Sequence, residues 1–184
     1  MTETQRDIVI GTVLGGSSIV KAPKGINYYL SMRSNNQFWL HYKMQELEEY
    51  FRNDQLRLEQ KTYRSNSICN EVFTELHELA YLNKERTVSE DLLYPLKSIA
   101  LMVWYLDGGG RCGRNNKNIY LNTTKLKEKG TKIVLDYFNG MFMNCTVSST
   151  KKRIRVIFTI DASEKFARII EDTVPLFMIE NLYP

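Results

Sequence analysis

Cysteine and histidine are scarce in this sequence. Its 184 residues include three cysteines, Cys69, Cys112 and Cys145, and two histidines. No two cysteines have CxxC spacing, so neither a zinc site nor a disulfide framework is expected. Few, odd-numbered cysteines are typical of a reducing compartment, and we therefore expect an intracellular protein.

Long hydrophobic runs are also missing. No apolar stretch reaches the roughly 18 residues that a membrane-spanning helix needs. The first seven residues, Met1 to Asp7, do not form the start of a signal peptide, because such a peptide needs an apolar segment after a basic start. We therefore expect no membrane partner.

No extreme of charge is present either. The formal net charge is +4, the apolar fraction is 43% and the charged fraction is 25%. These values are typical of a folded globular protein and exclude a disordered chain. A mildly basic balance does not by itself indicate nucleic-acid binding, so the positions of the basic residues have to decide.

Two apolar runs that end in glycines dominate the sequence. They are residues 8–19, IVIGTVLGGSSI, and residues 100–111, ALMVWYLDGGGR. Apolar side chains on every face predict helices buried all round. Gly11 and Gly15 are four residues apart, so one side of the first helix lacks bulk and another backbone can approach it. Two ordinary core helices with glycine C-caps would have the same pattern.

The segments between the runs alternate between helix and strand patterns. Strands are predicted at 26–33, in two short pieces of 56–67, at 118–123, and in a hairpin of 145–149 with 153–160. Helices are predicted at 5–14, 35–51, 70–81, 95–106, 125–142 and 162–174. Thr4 and Asp161 are the predicted N-caps of the first and last helices, and 111–117 is a predicted basic loop. Phe38 and Leu79 are predicted to face the core.

The second half repeats the order of the first. Gly16 and Gly108 are separated by half the length of 184 residues, so the repeat is one of architecture although few residues are identical. This predicts an α+β fold of two α-β-β-α-β-β-α halves, residues 1–92 and 93–184. A pseudo-twofold axis would relate the halves, with the two glycine-ended helices packed along it.

The two runs resemble the signature helices of the LAGLIDADG homing endonucleases, in the single-chain form that carries both copies. Residues 9–17 and 101–109 lie over the nine-letter motif, and Trp104-Tyr-Leu-Asp-Gly-Gly-Gly resembles the Trp-x-Met-Asp-Asp-Gly-Gly of many second copies. The resemblance covers nearly the whole chain. It implies antiparallel sheets that form a DNA-binding saddle.

The family resemblance also implies an activity. Its members cleave both strands of DNA at a long, pseudo-palindromic target, using Mg²⁺ held by an aspartate at the eighth motif position of each copy. Monomeric two-motif members act alone. The expected location is the cytoplasm of a prokaryote or phage host, or an organelle.

Both aspartates are missing from this sequence. The eighth motif positions are Gly16 and Gly108, and glycine offers a metal only its backbone carbonyl. We therefore expect weak or absent Mg²⁺ binding and cleavage. Any residual ligands would come from Gly15, Gly16, Asp107 and Gly108, where Asp107 requires a one-residue shift of the alignment. The segment Lys84-Glu-Arg86 resembles the stretch that supplies a basic residue to the site, which makes Arg86 the candidate.

Basic and amide residues concentrate on the polar faces of the predicted strands and in the adjacent loops. Such side chains contact base edges and phosphates, whereas any half-buried sheet also has a polar face. The candidate DNA-binding residues are Lys21, Lys24, Asn27, Tyr29, Ser31, Arg33, Arg57, Gln60, Lys61, Arg64, Arg111, Arg114, Asn116, Lys117, Asn118, Tyr120, Asn122, Lys151, Lys152, Arg153 and Arg155.

The sequence therefore predicts sequence-specific binding of double-stranded DNA by a homing endonuclease whose cleavage is disabled. The same change at both symmetric positions favours engineered or selected inactivation over drift. Two alternatives stay open on the same fold, a non-catalytic DNA-binding protein and an intron RNA maturase that binds intron RNA. An unrelated α+β protein is a third.

Overall fold

The computed structural model describes residues 1–52, 56–83 and 85–183. Its helices are α1 (Glu3–Gly15), α2 (Gln37–Glu46), α3 (Glu71–Ala80), α4 (Glu90–Leu93), α5 (Ser98–Gly108), α6 (Lys127–Gly140) and α7 (Ile160–Ile170). Its strands are β1 (Ser18–Lys21), β2 (Tyr28–Ser34), β3 (Arg57–Glu59), β4 (Thr62–Asn66), β5 (Tyr81–Leu82), β6 (Glu85–Arg86), β7 (Gly109–Cys112), β8 (Asn118–Asn122), β9 (Cys145–Ser149) and β10 (Ile154–Phe158). A 3-10 segment, Leu176–Asn181, lies near the end of the chain.

The strands form two four-stranded antiparallel sheets of the same topology. Sheet one has the order β1-β2-β4-β3 and sheet two has the order β7-β8-β10-β9. When the strands of each sheet are numbered along the chain, both sheets have the order 1-2-4-3. A hairpin of β5 with β6 lies in the chain between the two sheets. The predicted α+β architecture with two repeated halves is therefore confirmed.

The two glycine-ended helices pack against each other at the centre of the molecule. Ile8, Val9 and Val13 of α1 are almost fully buried, as are residues 100–105 of α5. A Cβ on Gly11 would lie 2.5 Å from the Ala100 carbonyl oxygen, and one on Gly15 would overlap the Cβ of Asp107. The missing side chains therefore allow the close approach that the Gly11/Gly15 spacing predicts.

Each sheet buries one face against helices. Leu30 and Met32 of β2 are fully buried, as are Ile119 and Leu121 of β8. Successive strand residues point to opposite faces, so the neighbours of these residues lie on the other face. That face is the one on which the candidate DNA-binding side chains were predicted.

The N-caps of the first and last helices differ from the predicted ones. Thr2, not Thr4, caps α1, and it forms a capping box with Gln5. Thr159, not Asp161, caps α7 by accepting a hydrogen bond from the Ala162 backbone N–H. Thr, Asp and Ser side chains can all cap a helix, so the residue type alone does not fix which of several nearby candidates serves.

The two long helix predictions fail where the backbone breaks. The helix predicted at 35–51 ends at Glu46, and a separate 3-10 turn follows. The helix predicted at 125–142 begins at Lys127, whose φ of +56° interrupts the regular backbone. Phe38 is 75% exposed and Leu79 is 44% exposed, so neither packs into the core as predicted. The predicted basic loop at 111–117 begins as strand β7, which includes Arg111.

No helix in these described ranges combines the length and the hydropathy that crossing a membrane requires. The proposed division between residues 92 and 93 falls inside α4 and stays a proposal.

Candidate nucleic-acid interface and metal position

A row of arginines crosses the exposed face of sheet one. Arg33 of β2 is the register partner of Arg64 in β4, which in turn is the partner of Arg57 in β3. Directly opposed like charges destabilise a sheet. Glu59 offsets only part of this charge, through an exposed ion pair at 3.1 Å with Arg64. The row therefore does not favour the stability of the isolated sheet, whereas it suits the binding of a polyanion.

The equivalent row of sheet two is mixed in character. Arg155 of β10 is the register partner of Asn122 in β8 and of Ser148 in β9. Its guanidinium lies 4.1 Å from the centre of the Tyr120 ring, a cation–π contact that holds it along the sheet face. At matching positions, sheet one thus carries arginines only, whereas sheet two carries one arginine with neutral polar residues.

The rest of the predicted DNA-binding residues divide into exposed and anchored groups. Asn118 and Arg111 are anchored, because the Asn118 amide donates to the Phe158 carbonyl at 2.7 Å and Arg111 donates to the carbonyls of Lys117 and Leu182. The partly accessible ones are Asn27, which directly precedes β2, and Tyr29 and Ser31 on the face of β2. The exposed ones are Lys21 at the end of β1 and, in loops and turns, Lys24, Gln60, Lys61, Arg114, Asn116, Lys117, Lys151, Lys152 and Arg153.

The eighth motif positions lie at the adjacent ends of α1 and α5. Gly16 is the C-cap of α1 and has φ of +128°, a backbone conformation that favours glycine. A Cβ on Gly108 would lie 2.6 Å from the Gly15 carbonyl oxygen and 2.8 Å from its Cα. Backbone therefore occupies the space where a side chain at 108 would begin.

Asp107, the acid next to these glycines, is already paired. It accepts a hydrogen bond from Trp39 Nε1 at 2.6 Å and forms an ion pair with Lys43 Nζ at 2.5 Å. Lys43 is fully buried and the Asp107 side chain is 5% exposed. Burial lowers the pKa of Lys43, and the Asp107 carboxylate opposes that shift. Both carboxylate oxygens therefore face protein donors rather than a metal.

The residues at this position do not fit a divalent cation. Across the described parts of the chain, no three His, Cys, Asp or Glu side chains form a group that could hold a metal. Mg²⁺ prefers carboxylate oxygens, and the available oxygens here are the Gly15 and Gly16 carbonyls and the paired Asp107. The geometry thus disagrees with the metal site that the family resemblance implies.

Positive side chains surround the end of α1 instead. A cavity of about 390 Å³ lies there, lined by Gly16, Gly108 and four basic residues, Arg33, Lys125, Lys152 and Arg153. Of the residues that the structure describes, Asp107 is the one acid on its wall. Positive charge at a helix C-terminus is favourable, because the unpaired carbonyls carry partial negative charge.

Arg86 holds the end of α1 in place. Its guanidinium donates to the Val13 carbonyl at 2.5 Å, to the Ser17 carbonyl, and to Ser18 Oγ at 3.2 Å. It therefore lies beside the first motif, where the resemblance places a basic residue. Lys84, the start of that stretch, lies outside the described residues.

Lys125 was not among the predicted site residues. Its ammonium donates to the Gly16 carbonyl. Desolvation of this end of the side chain lowers the pKa of Lys125 to about 8, and the charges of Arg86 and Arg33 act in the same direction. Its position just before a helix that begins at Lys127 gave no signal in the sequence that it would reach the other half.

A second cavity, of about 890 Å³, lies at the end of α5. It is lined by amide side chains, including Asn35, Asn36, Gln60 and Asn181, together with Arg33, Arg64 and Glu59. The two helix ends therefore differ, with basic side chains at α1 and mostly neutral donors and acceptors at α5.

The fold and the paired glycine-ended helices together define a protein of the LAGLIDADG type. The sequence profile of the LAGLIDADG DNA endonuclease family matches residues 6–166, and the chain belongs to this family. No curated protein sequence matches the chain. The predicted family is thereby confirmed.

Solved structures agree on the fold. The homing endonuclease I-WcaI, bound to its DNA recognition sequence, is similar with a TM-score of 0.88 at 20% identity, covering 98% of this chain and 86% of that chain. I-DmoI in complex with DNA and Mn has a TM-score of 0.59 at 10% identity, covering 91% and 96%. The N-terminal LAGLIDADG domain of DUF199/WhiA has a TM-score of 0.57 at 12% identity, covering 98% and 88%.

Proposed function

We propose that this chain binds double-stranded DNA sequence-specifically through the exposed faces of its two sheets and does not cleave it. Two features carry the proposal, the Arg33–Arg64–Arg57 row and the glycines in place of both motif carboxylates. The first feature supports binding, and the second argues against the metal-dependent step. The chain acts as a monomer, because it carries both halves, 1–92 and 93–184, of the pseudo-twofold unit.

Electrostatics supports a DNA partner. Phosphates that meet the arginine row and the exposed lysines would release counterions, which is the main source of non-specific affinity for DNA. Many acids instead lie on helices that cover the opposite faces of the sheets, among them Glu71, Glu75 and Glu78 of α3. Such a separation of charge would orient the sheets toward the duplex.

The side-chain types on the sheet faces support base contacts. Arginine forms paired hydrogen bonds with guanine, and asparagine or glutamine with adenine, in the major groove. Arg33 and Arg64 would serve on one sheet, and Asn122 and Arg155 on the other. Because these matching positions carry different residues, the two half-sites of a long pseudo-palindromic target should differ in sequence.

The relatives bound to DNA, one of them with Mn, support a duplex partner and divalent-metal use in the family. In a relative with both carboxylates, the metal would activate water and stabilise the leaving oxygen. Here glycine is built into the backbone at both positions, through the φ of +128° at Gly16 and the contact of Gly108 with Gly15. This supports a chain adapted to glycine more than an engineered replacement of aspartate. Mg²⁺ would then have no role in binding.

The three cysteines are all free thiols, with Cys69 exposed. They support the proposal of a reducing compartment, which would fit a prokaryotic or phage-host cytoplasm or an organelle.

The proposal is tested by selecting a duplex target from a random library and measuring the affinity as a function of salt. We expect one selected family of long targets and a steep linear fall of log K with log salt. Arg57→Gln should weaken binding and reduce the slope by about 0.9, the value for one phosphate contact. The control Lys132→Gln, at an exposed position of α6, should leave the slope unchanged. Failure to select any duplex, or tighter binding of structured intron RNA, would contradict the proposal and favour the maturase alternative.

A further inference from the structure

The cavity at the end of α1 has an excess of positive charge that the protein does not neutralise. Arg33, Lys125, Lys152 and Arg153 line it, and Arg86 lies close enough to influence the charge of Lys125. Its single acid, Asp107, has its charge satisfied by the buried Lys43. Several like charges on one concave surface are costly unless an anion binds there.

We propose that this cavity binds one DNA backbone phosphate directly, through Lys125, Arg33 and Arg153, without a metal ion. The inference rests on the proposed DNA-binding function and adds the ligand class of the motif-helix end. The side chains that supply positive charge take the place that a divalent cation holds where the motif carboxylates are present. Charge-assisted hydrogen bonds of ammonium and guanidinium groups to phosphate are strong enough for this role. No bond is broken, because no group here activates water.

Lys125 is the central group of this phosphate site. It belongs to the second half of the chain but donates to the Gly16 carbonyl at the end of the first motif helix. Arg33 comes from β2 of the first half and Arg153 precedes β10 of the second. The site therefore joins both halves and lies between the two sheet faces, on the course that a duplex bound across them would take.

The phosphate site should contact only one of the two DNA strands. At the end of α5, the corresponding cavity has amides in place of lysines. It shares Arg33 with the first cavity, and its other arginine, Arg64, pairs with Glu59. A duplex with pseudo-twofold symmetry would place a central phosphate of one strand near the end of α1. The matching phosphate of the other strand would lie near the end of α5. The structure thus assigns direct charge pairing to one strand and neutral hydrogen bonding to the other.

The test replaces single central phosphates of the selected duplex with neutral methylphosphonates, one position and one strand at a time. Affinities are measured in EDTA, with the unmodified duplex as the reference in every series. We expect one position in one strand to lose about 10–100-fold in affinity, as for a charged hydrogen bond worth up to about 3 kcal/mol. The matching position of the other strand should lose much less.

Variants link that position to the cavity. Lys125→Gln should weaken binding of the unmodified duplex and remove most of the extra loss at the sensitive position. Lys152→Gln, on an exposed lysine of the same cavity, should reduce it in part and does not disturb the Gly16 contact. Lys132→Gln, outside the cavity, should leave the profile unchanged.

Two outcomes would overturn the phosphate site. One is equal loss on both strands, and the other is a profile that both Lys125→Gln and Lys152→Gln leave unchanged. In either case, retained binding of the unmodified duplex would show that the proposed DNA-binding function survives. Absence of binding to any unmodified duplex would refute the proposed function itself.

Discussion

Restoring aspartate at both motif positions should destabilise this protein rather than activate it. At Gly108 a Cβ would meet the Gly15 backbone at 2.6–2.8 Å, and overpacking of this kind costs about 1–3 kcal/mol. At Gly16 the φ of +128° would strain any other residue by about 1–3 kcal/mol. Gly16→Asp with Gly108→Asp should therefore show a large loss in the free energy of unfolding, measured by urea denaturation.

Alanine variants isolate the steric part of this prediction. Gly108→Ala adds only the Cβ and should already lower the stability, whereas Gly140→Ala, where a Cβ meets nothing within 4 Å, should not. We expect the double aspartate variant to show no Mg²⁺-dependent cleavage of the selected duplex. Wild-type stability together with cleavage by the double variant would show that the carboxylates fit and that the chain is a disarmed endonuclease.

Removing Lys43 should be the most destabilising single change. It is fully buried and its only acidic partner among the described residues is Asp107. Removing one member of a buried ion pair leaves an uncompensated charge, at a cost of about 3–5 kcal/mol. Lys43→Met should lower the free energy of unfolding by this amount, measured by chemical denaturation at pH 7.

A matched surface pair provides the control for Lys43. Lys97 forms an ion pair with Glu3 at the same distance of 2.5 Å, but both side chains are more than half exposed. Lys97→Met should therefore change the stability little, because solvent screens exposed pairs. Combining Lys43→Met with Asp107→Leu should recover most of the lost stability, since it removes both buried charges. A negligible effect of Lys43→Met would mean that Asp107 is not held by this lysine and is free for a metal.

The sequence alone predicted the central helices and three of the four strands of each sheet, but not β1 or β7, which directly follow the motif helices. Gly11 and Gly15 gave the close packing of the motif helices, because only absent side chains allow backbone contact. The alternation of Leu30 and Met32 with polar neighbours gave the correct exposed face of sheet one. These features depend on local periodicity, which a sequence displays directly.

Long-range partners were not predictable in the same way. Lys43 lies in a helix whose apolar residues alone signal burial, since a lysine is usually solvated, and only the tertiary fold brings Asp107 of the other half against it. Lys125 likewise contacts Gly16 across the chain. Phe38 was predicted to be buried because it is apolar, yet Trp39 and Lys43 occupy the inner side of α2. Such contacts depend on how the two halves pack against each other, and no local sequence pattern records that packing.

We propose, above all, that this family member binds duplex DNA without using a metal. The most direct measurement is the affinity and the cleavage of the selected duplex at constant ionic strength, in EDTA and in Mg²⁺. We predict the same affinity in both conditions and no cleaved product after prolonged incubation. Binding that requires Mg²⁺, or a double-strand break made by the chain as it stands, would contradict the claim and direct attention to Asp107 as a metal ligand.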